Sequence, residues 1–248
     1  MANVKLLIFA GESTAAGPVY NAGNCSAGEL ITRPKVQIYV HSTGKFQNLN
    51  VGLNNKLSVP SKTLASLGAT HGFEVEIANK VEASTFNSGA TVYVCPIARG
   101  SSFSSEFQTG YTDGNGINVL QVQLDKIAGA IAALVALGHT PVPYFIIRMG
   151  INDLLATVPG ATFTTNMVNW ITSLRAATAA YGVTPIVMTK CPSPTYTGYN
   201  ASTIPGIAST VGSCTVVDTS ASPTSDGAHE TYSGQKTSWG LIQTALGF

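Results

Sequence analysis

Charge is what this chain most plainly lacks. Only 10% of its 248 residues are Asp, Glu, Lys or Arg, where about 25% is usual. The 13 basic residues nearly cancel the 12 acidic ones, leaving a formal net charge of +1. Nucleic acids and anionic membranes normally need a basic patch, so neither is an expected partner. Disorder is not expected either, because 44% of the residues are apolar.

Long hydrophobic runs are missing too. The longest, Ile127 to Leu137, falls well short of the roughly 20 residues a bilayer span requires. It reads as a buried helix, and membrane insertion is not expected. The opening run Val4 to Ala10 has none of the basic flank or cleavage site of a secretory signal, and flows directly into Gly11-Glu12-Ser13. It therefore reads as a first strand, with no signal peptide expected. The low charge, with abundant Ser, Thr, Gly and Asn, resembles extracellular or phage-displayed domains. Cysteines number four, and none has the C-x-x-C spacing of a zinc or redox site, so no metal and no cofactor is expected. Cys191 would follow one parallel strand and Cys214 would open the next, roughly 15 Å away at about 3.3 Å per residue. That is beyond disulfide reach, and reduced thiols are expected.

What is present is a regular alternation. Short β-branched runs occur at Val4 to Ala10, Thr91 to Ile97, Pro143 to Met149, Thr184 to Lys190 and Cys214 to Asp218. Between them, Glu74 to Ala83, Val119 to Leu137 and Phe163 to Tyr181 carry a helical period, the last stopped by Gly182, and a closing helix is expected over Ser233 to Leu246. This is the pattern of a parallel sheet with crossover helices. The exception is Lys35 to Leu53, where alternation interrupted by Ser42-Thr43-Gly44 predicts an inserted hairpin. No composition break, charge run or repeat marks a boundary, so one domain over residues 1–248 is expected.

Open α/β sheets place their ligand sites at the carboxyl ends of the strands. Chemistry-bearing residues collect there. Gly11-Glu12-Ser13-Thr14-Ala15-Ala16-Gly17 follows the first strand, Ala98-Arg99-Gly100-Ser101-Ser102 the second, Gly150-Ile151-Asn152-Asp153 the third, and Asp226-Gly227-Ala228-His229 the fifth. Singly, each has an ordinary explanation: Ser13 as a helix N-cap, Asn152 and Asp153 as a cap pair, Gly100 and Asp226-Gly227 as turn residues. Jointly they put a serine, an imidazole and a carboxylate at one edge of one sheet, which is the composition needed to activate a hydroxyl. His229-Glu230 begins a zinc-protease motif, but Ser233 stands where its second histidine belongs. Thr43-Gly44-Lys45 lacks the flanking residues of a phosphate loop.

The order Ser13, Gly100, Asn152, His229 over residues 4–246 resembles the SGNH (GDSL-type) hydrolases. Gly150-x-Asn152-Asp153 and Asp226-x-x-His229 match that pattern fully. The first block carries Glu12 where the superfamily usually has Asp, and is more similar to the Gly-Gln-Ser-Asn block of sialate and xylan O-acetylesterases. Ala98-Arg99-Gly100-Ser101 is likewise comparable to that branch, whereas Gly150-Ile151-Asn152 keeps the general form rather than the branch's Gln-Gly-Glu.

Pattern and resemblance together imply an α/β, three-layer αβα (flavodoxin-like) fold with a five-stranded parallel sheet of order 2-1-3-4-5 plus the hairpin. The resemblance implies a serine esterase acting on O-acetyl or other short-acyl groups of a carbohydrate, with Ser13 as nucleophile, His229 as base and Asp226 orienting it. The implied oxyanion donors are the Ser13 and Gly100 backbone N–H groups and the Asn152 side chain. Glu12, Arg99 and Glu230, beside these positions, are candidate substrate contacts. Tyr20, Phe103, Phe107, Tyr111, Tyr196 and Tyr199 are candidates for stacking on sugar faces. Two other readings stand beside this one. One is a lipid or thioester acyl hydrolase of the same fold. The other is a non-catalytic glycan-binding module of adhesin or phage-tail type, favoured by a carboxylate, Glu12, next to the nucleophile.

Overall fold

The computed structural model describes residues 2–16, 20, 21, 25–51, 59, 70–192 and 196–248; for residues 20, 21, 70 and 71 it describes only the backbone. Nine strands are described: β1 Ala2–Gly11, β2 Tyr20–Asn21, β3 Arg33–Val40, β4 Lys45–Leu49, β5 Thr70–His71, β6 Val92–Pro96, β7 His139–Arg148, β8 Ile186–Thr189 and β9 Cys214–Val217. The α-helices are α1 Ser13–Ala16, α2 Glu74–Glu82, α3 Val119–Ala136, α4 Ile151–Leu155, α5 Gly160–Ala176, α6 Ile204–Val211 and α7 Tyr232–Leu246.

Seven strands form one sheet in the order β4-β3-β6-β1-β7-β8-β9, and β2 and β5 form a separate antiparallel pair. The α/β class holds, but the expected five-stranded sheet of order 2-1-3-4-5 does not describe it. The hairpin does not stand apart. Its first strand, β3, pairs in parallel with β6 (Val36↔Val92) and leaves β4 as an antiparallel edge. Without β3 the outer side of β6 would present a row of unpaired N–H and C=O groups, and β3 satisfies them. Its side chains Val36, Ile38, Tyr39 and Val40 are buried in doing so.

Side chains alternate along β1, and the alternation builds both sides of the core. Leu6, Ile8 and Ala10 join a cluster with Ile127, Leu134, Trp170 and Ile207 of α3, α5 and α6, while Leu7 and Phe9 face Ile77, Val81, Trp239 and Ile242 of α2 and α7. The apolar α3 is one of the helices against the first face, capped by the Asn118 side chain, which accepts from the Gln121 N–H at 3.0 Å.

β7 begins four residues earlier than its sequence predicts, and includes Pro141 and Pro143. Proline is normally confined to positions that owe the ladder no N–H. The Phe145 N–H donates to the Pro185 carbonyl at 3.0 Å, so the odd-numbered residues of β7 face β8, whose paired register starts only at Phe145↔Ile186. Both prolines precede that point and cost no strand-to-strand bond. α5 ends at Ala176, followed by a 3-10 turn at Ala179–Tyr181, so Gly182 caps that turn rather than the long helix. α6 was not expected; it continues directly from a π-helical turn at Tyr199–Thr203, and Pro205 lies just after that turn, where the regular i→i−4 ladder is interrupted.

All four cysteines are free. Cys214 pairs with Ile186 at the start of β8, whereas Cys191 lies beyond the end of that strand, as the thiol argument requires. Burial pushes the Cys95 thiol up to about 12 and Cys191 higher still, so both remain neutral.

Candidate active site

β6, β1 and β7 lie side by side and parallel, so the turns leaving their carboxyl ends are neighbours. Gly11, the last residue of β1, adopts φ +130° and brings its backbone against Arg148 at the end of β7. The Glu12 N–H then donates to the Arg148 carbonyl at 3.0 Å, and the Arg99 N–H, from the turn after β6, donates to the Gly11 carbonyl at 2.8 Å. These two backbone bonds hold the three turns together. Ser13 follows as the first residue of the one-turn helix α1, whose Ala15 and Ala16 N–H groups are accepted by the Glu12 carbonyl, each at 3.0 Å. The Ser13 hydroxyl is therefore not spent as an N-cap.

It meets His229 instead. Ser13 Oγ lies 2.9 Å from His229 Nε2, across 216 residues of sequence. His229 Nδ1 lies 2.7 Å from Asp226 Oδ2. The Asp-x-x-His spacing is a closed turn: Asp226 Oδ1 accepts the Ala228 and His229 backbone N–H groups at 2.9 and 2.7 Å, and Gly227 takes φ +81° to permit it. Partial burial, the largest single influence, pushes the Asp226 carboxyl up. The bonds from the His229 N–H, its ring and the Ala228 N–H together outweigh that and hold the carboxyl below its ordinary value. It is thus a fixed negative charge against one ring nitrogen, which leaves the other to accept a proton from the serine. Ser13 is 8% exposed and the Asp226 side chain 50%, so the relay opens to solvent from its carboxylate side.

Asn152 and Asp153 sit inside α4, behind Gly150 in the cap position, so they are not a cap pair. The Asn152 side-chain amide donates to the Ser102 carbonyl at 3.0 Å, fixing its plane. Asp153 accepts from the Ser104 N–H at 3.0 Å and from its hydroxyl at 2.6 Å. The turn after β7 is thereby tied to the segment after β6, where Gly100 is buried and Ser101 takes φ +58°. Sequence reading missed Ser104, and it assigned Asp153 and Ser102, which stand in the blocks after the third and second strands, no role in holding the site; their pairings span 49 and 50 residues and leave no local pattern.

Glu12, Arg99 and Glu230 are corrected as substrate contacts. All three are fully buried. Arg99 is paired with Glu106 at 3.3 Å and with Asp113, which in turn accepts the Asn115 and Ile117 N–H groups. It fastens the loop after β6. Glu230 pairs with Arg148 at 2.8 Å and accepts from the Ser238 hydroxyl, while the Arg148 guanidinium lies 4.7 Å over the Phe73 ring. With so few charges in the chain, these go to the interior. Replacement of Glu230 by Gln should leave the Arg148 charge without its carboxylate, at a cost of about 3–5 kcal/mol. Equilibrium denaturation of the two proteins measures it, and a difference below about 1 kcal/mol would remove the pair as a stabilising element.

Of the aromatic candidates, Phe107 stacks on Trp170 at 4.6 Å and Tyr199 donates to the Val158 carbonyl at 2.5 Å, both within the core. Phe103, Tyr111 and Tyr196 are half-buried, and the Tyr20 side chain lies outside the described residues. Among the described residues no group of three or more His, Cys, Asp or Glu side chains converges as metal ligands would.

No protein-family model matches the chain, and no curated protein matches it by sequence. Solved structures do. A protein from Arabidopsis thaliana superposes with a TM-score of 0.68 at 15% identity, over 97% of this chain and 96% of that one. NanS superposes with a TM-score of 0.67 at 13% identity, over 99% of this chain and 96% of that one. At these identities the likeness is one of fold, and it extends over essentially the whole length of each chain.

Proposed function

We propose that the protein is a serine ester hydrolase, a single catalytic domain that removes O-acetyl or similarly short acyl groups from a carbohydrate. The observation that carries this reading is the relay Ser13–His229–Asp226, with separations of 2.9 and 2.7 Å, at the carboxyl edge of the sheet. A serine hydroxyl is a weak nucleophile without an oriented base, and this arrangement supplies one.

In the proposed reaction the Ser13 oxygen attacks the ester carbonyl while its proton passes to His229 Nε2. Asp226 stabilises the imidazolium that forms. The carbonyl oxygen becomes an oxyanion, received by the Ser13 and Gly100 backbone N–H groups and by the Asn152 side-chain N–H that is not directed at Ser102. Collapse expels the sugar hydroxyl, protonated by His229, and leaves an acyl-Ser13 ester. Water, deprotonated by the same imidazole, repeats the sequence and releases the acid. No metal or cofactor enters these steps.

The short-acyl, carbohydrate-directed part rests on the first-block resemblance and on a polar surround, in which Ser225 and Asp226 are exposed and Tyr196 is half-buried. Tyr196 is close enough to Asp226 and Glu12 for both to raise its hydroxyl pKa, after burial, the main cause. The glycan-binding alternative drew on a carboxylate beside the nucleophile, but that carboxylate accepts the Ile151 and Asn152 N–H groups from the interior. Those two donors offset its charge, which favours the hydrolase reading over that one.

The test is a series of p-nitrophenyl esters of increasing acyl length, with acetylated xylan and O-acetyl sialic acid beside them. Acetate should be turned over fastest, and a preference for long acyl chains would favour the lipid hydrolase instead. In the same assay Asn152→Ala should lower kcat on the order of 10²-fold, the usual effect of losing one oxyanion donor. An Asn152→Ala enzyme of unchanged kcat would take that residue out of the oxyanion site.

A further inference from the structure

Glu12 stands where one of the patterns the first block resembles has Asp and the other Gln, and its surroundings give it work. Its side chain is fully buried between the end of β1 and the start of α4. Oε1 accepts the Ile151 N–H at 2.7 Å and Oε2 accepts the Asn152 N–H at 3.1 Å, 139 and 140 residues away in sequence. One carboxylate thus grips two consecutive peptides of the turn that carries the Asn152 side chain, and Glu12 is bonded covalently to Ser13.

We infer that Glu12 is a positioning residue, whose two-pronged grip on the Ile151 and Asn152 N–H groups holds the Asn152 amide in register with the Ser13 hydroxyl. This rests on the esterase reading, since the register matters only if an oxyanion forms between them.

The chemistry of the grip is specific to glutamate. Gln offers one acceptor oxygen, and its NH₂ group would face a backbone N–H, donor against donor. Asp carries both oxygens but is one methylene too short to reach both peptides from the same backbone position. A displacement of about 1 Å at a reacting geometry is enough to lower a rate on the order of 10²-fold. Protonation should loosen the grip in the same way, because a carboxylic acid must donate its hydrogen and both neighbours here are donors.

Several charged or titratable groups surround this carboxyl. Asp153 faces it from α4, Arg148 from β7, and Lys190 and Cys191 from the end of β8, with Tyr196 beyond. Burial is the main influence and the Asp153 charge adds to it; the Ile151, Asn152 and Gly150 N–H groups oppose them, and the carboxyl is pushed up to about 7.

The experiment is a double-mutant cycle on p-nitrophenyl acetate, with an amide titration that needs no turnover. Glu12→Gln should lower kcat about 10- to 100-fold with KM held within about threefold. In an Asn152→Ala background the same change should cost less than about twofold, because the group it positions is gone. Glu12→Asp repeats the comparison should Glu12→Gln fold poorly. In the wild type, the Ile151 and Asn152 amide proton resonances should shift together as pH falls through about 7, reporting loss of the carboxylate acceptor. An active wild type with Glu12→Gln equally active, or with losses that simply add in the double variant, overturns the inference and leaves the esterase reading standing. Ile151 and Asn152 amide resonances left unshifted by Glu12→Gln also overturn it. A wild type inert on every ester overturns the esterase reading, and the inferred role of Glu12 falls with it.

Discussion

Ser13→Ala is expected to lower kcat for p-nitrophenyl acetate on the order of 10⁴-fold or more, leaving about the 10³–10⁴-fold over water that oxyanion donors and binding supply without a nucleophile. The size of the effect follows from the relay. The oxygen removed is the one 2.9 Å from His229 Nε2, and no second hydroxyl is bonded to that nitrogen among the described residues. His229→Ala should be comparably damaged, because a serine without its base is as idle as a base without its serine. The double variant should be no worse than either single one, since residues acting as a unit lose their contribution once. Labelling by a serine-directed fluorophosphonate gives a second readout: Ser13 should carry the adduct in the wild type, and His229→Ala should label far more slowly. A Ser13→Ala enzyme within tenfold of wild type would remove Ser13 as the nucleophile.

The other large effect is on folding. A Cβ placed on Gly11 would lie 1.8 Å from the Arg148 carbonyl oxygen and 2.6 Å from its carbon, at a φ of +130° that side chains other than glycine's rarely adopt. Neither backbone can yield. β1 and β7 pair residue by residue from Ala2↔His139 to Gly11↔Arg148, and the next bond, from the Glu12 N–H to that same carbonyl, is what sets Ser13 in place. Gly11→Ala is therefore expected to cost about 5 kcal/mol or more, at the exceptional end of single substitutions, or to prevent folding. Gly44→Ala is the control: φ is +65° but nothing lies within 4 Å of the added carbon, so only the left-handed backbone is penalised, by about 1–2 kcal/mol. Thermal unfolding followed by circular dichroism separates the two. Equal midpoints for Gly11→Ala and wild type would contradict the close approach at the end of β1.

Much of the fold is legible in the chain because its signals are local. The runs that become β1, β6, β8 and β9 begin and end within about two residues of where β-branched residues start and stop. α2, α3 and α7 likewise follow their apolar period. Departures occur where a distant partner overrides the local signal. Pro141 argues against carrying the strand back beyond Pro143 until it is known that β8 does not reach it. The hairpin's alternation is visible at Val36 to Val40, but its pairing with β6 depends on which edge of the sheet is left open.

The site divides in the same way. Asp226 and His229 reveal their relation in sequence, because three residues of a turn are enough to bring the carboxylate to the ring. Ser13, Gly100 and Asn152 stand out just past the ends of their strands, since parallel strands deliver all their carboxyl ends to one edge. Composition and period are properties of neighbouring residues. They determined the α/β class, the edge of the sheet where the candidate site residues gather and the residue types found there.

Only the tertiary structure decided where the scarce charges go. Glu12, Arg99 and Glu230 stand next to site residues in sequence and look like substrate contacts on that ground. Their carboxylates and guanidinium are instead turned inward, Glu12 to peptides 139 and 140 residues away and Glu230 to Arg148 across 82 residues. Adjacency along the chain fixes a backbone neighbour but not the direction of a side chain. For a buried charge that direction is set by whichever partner satisfies it, and here those partners arrive from other strands.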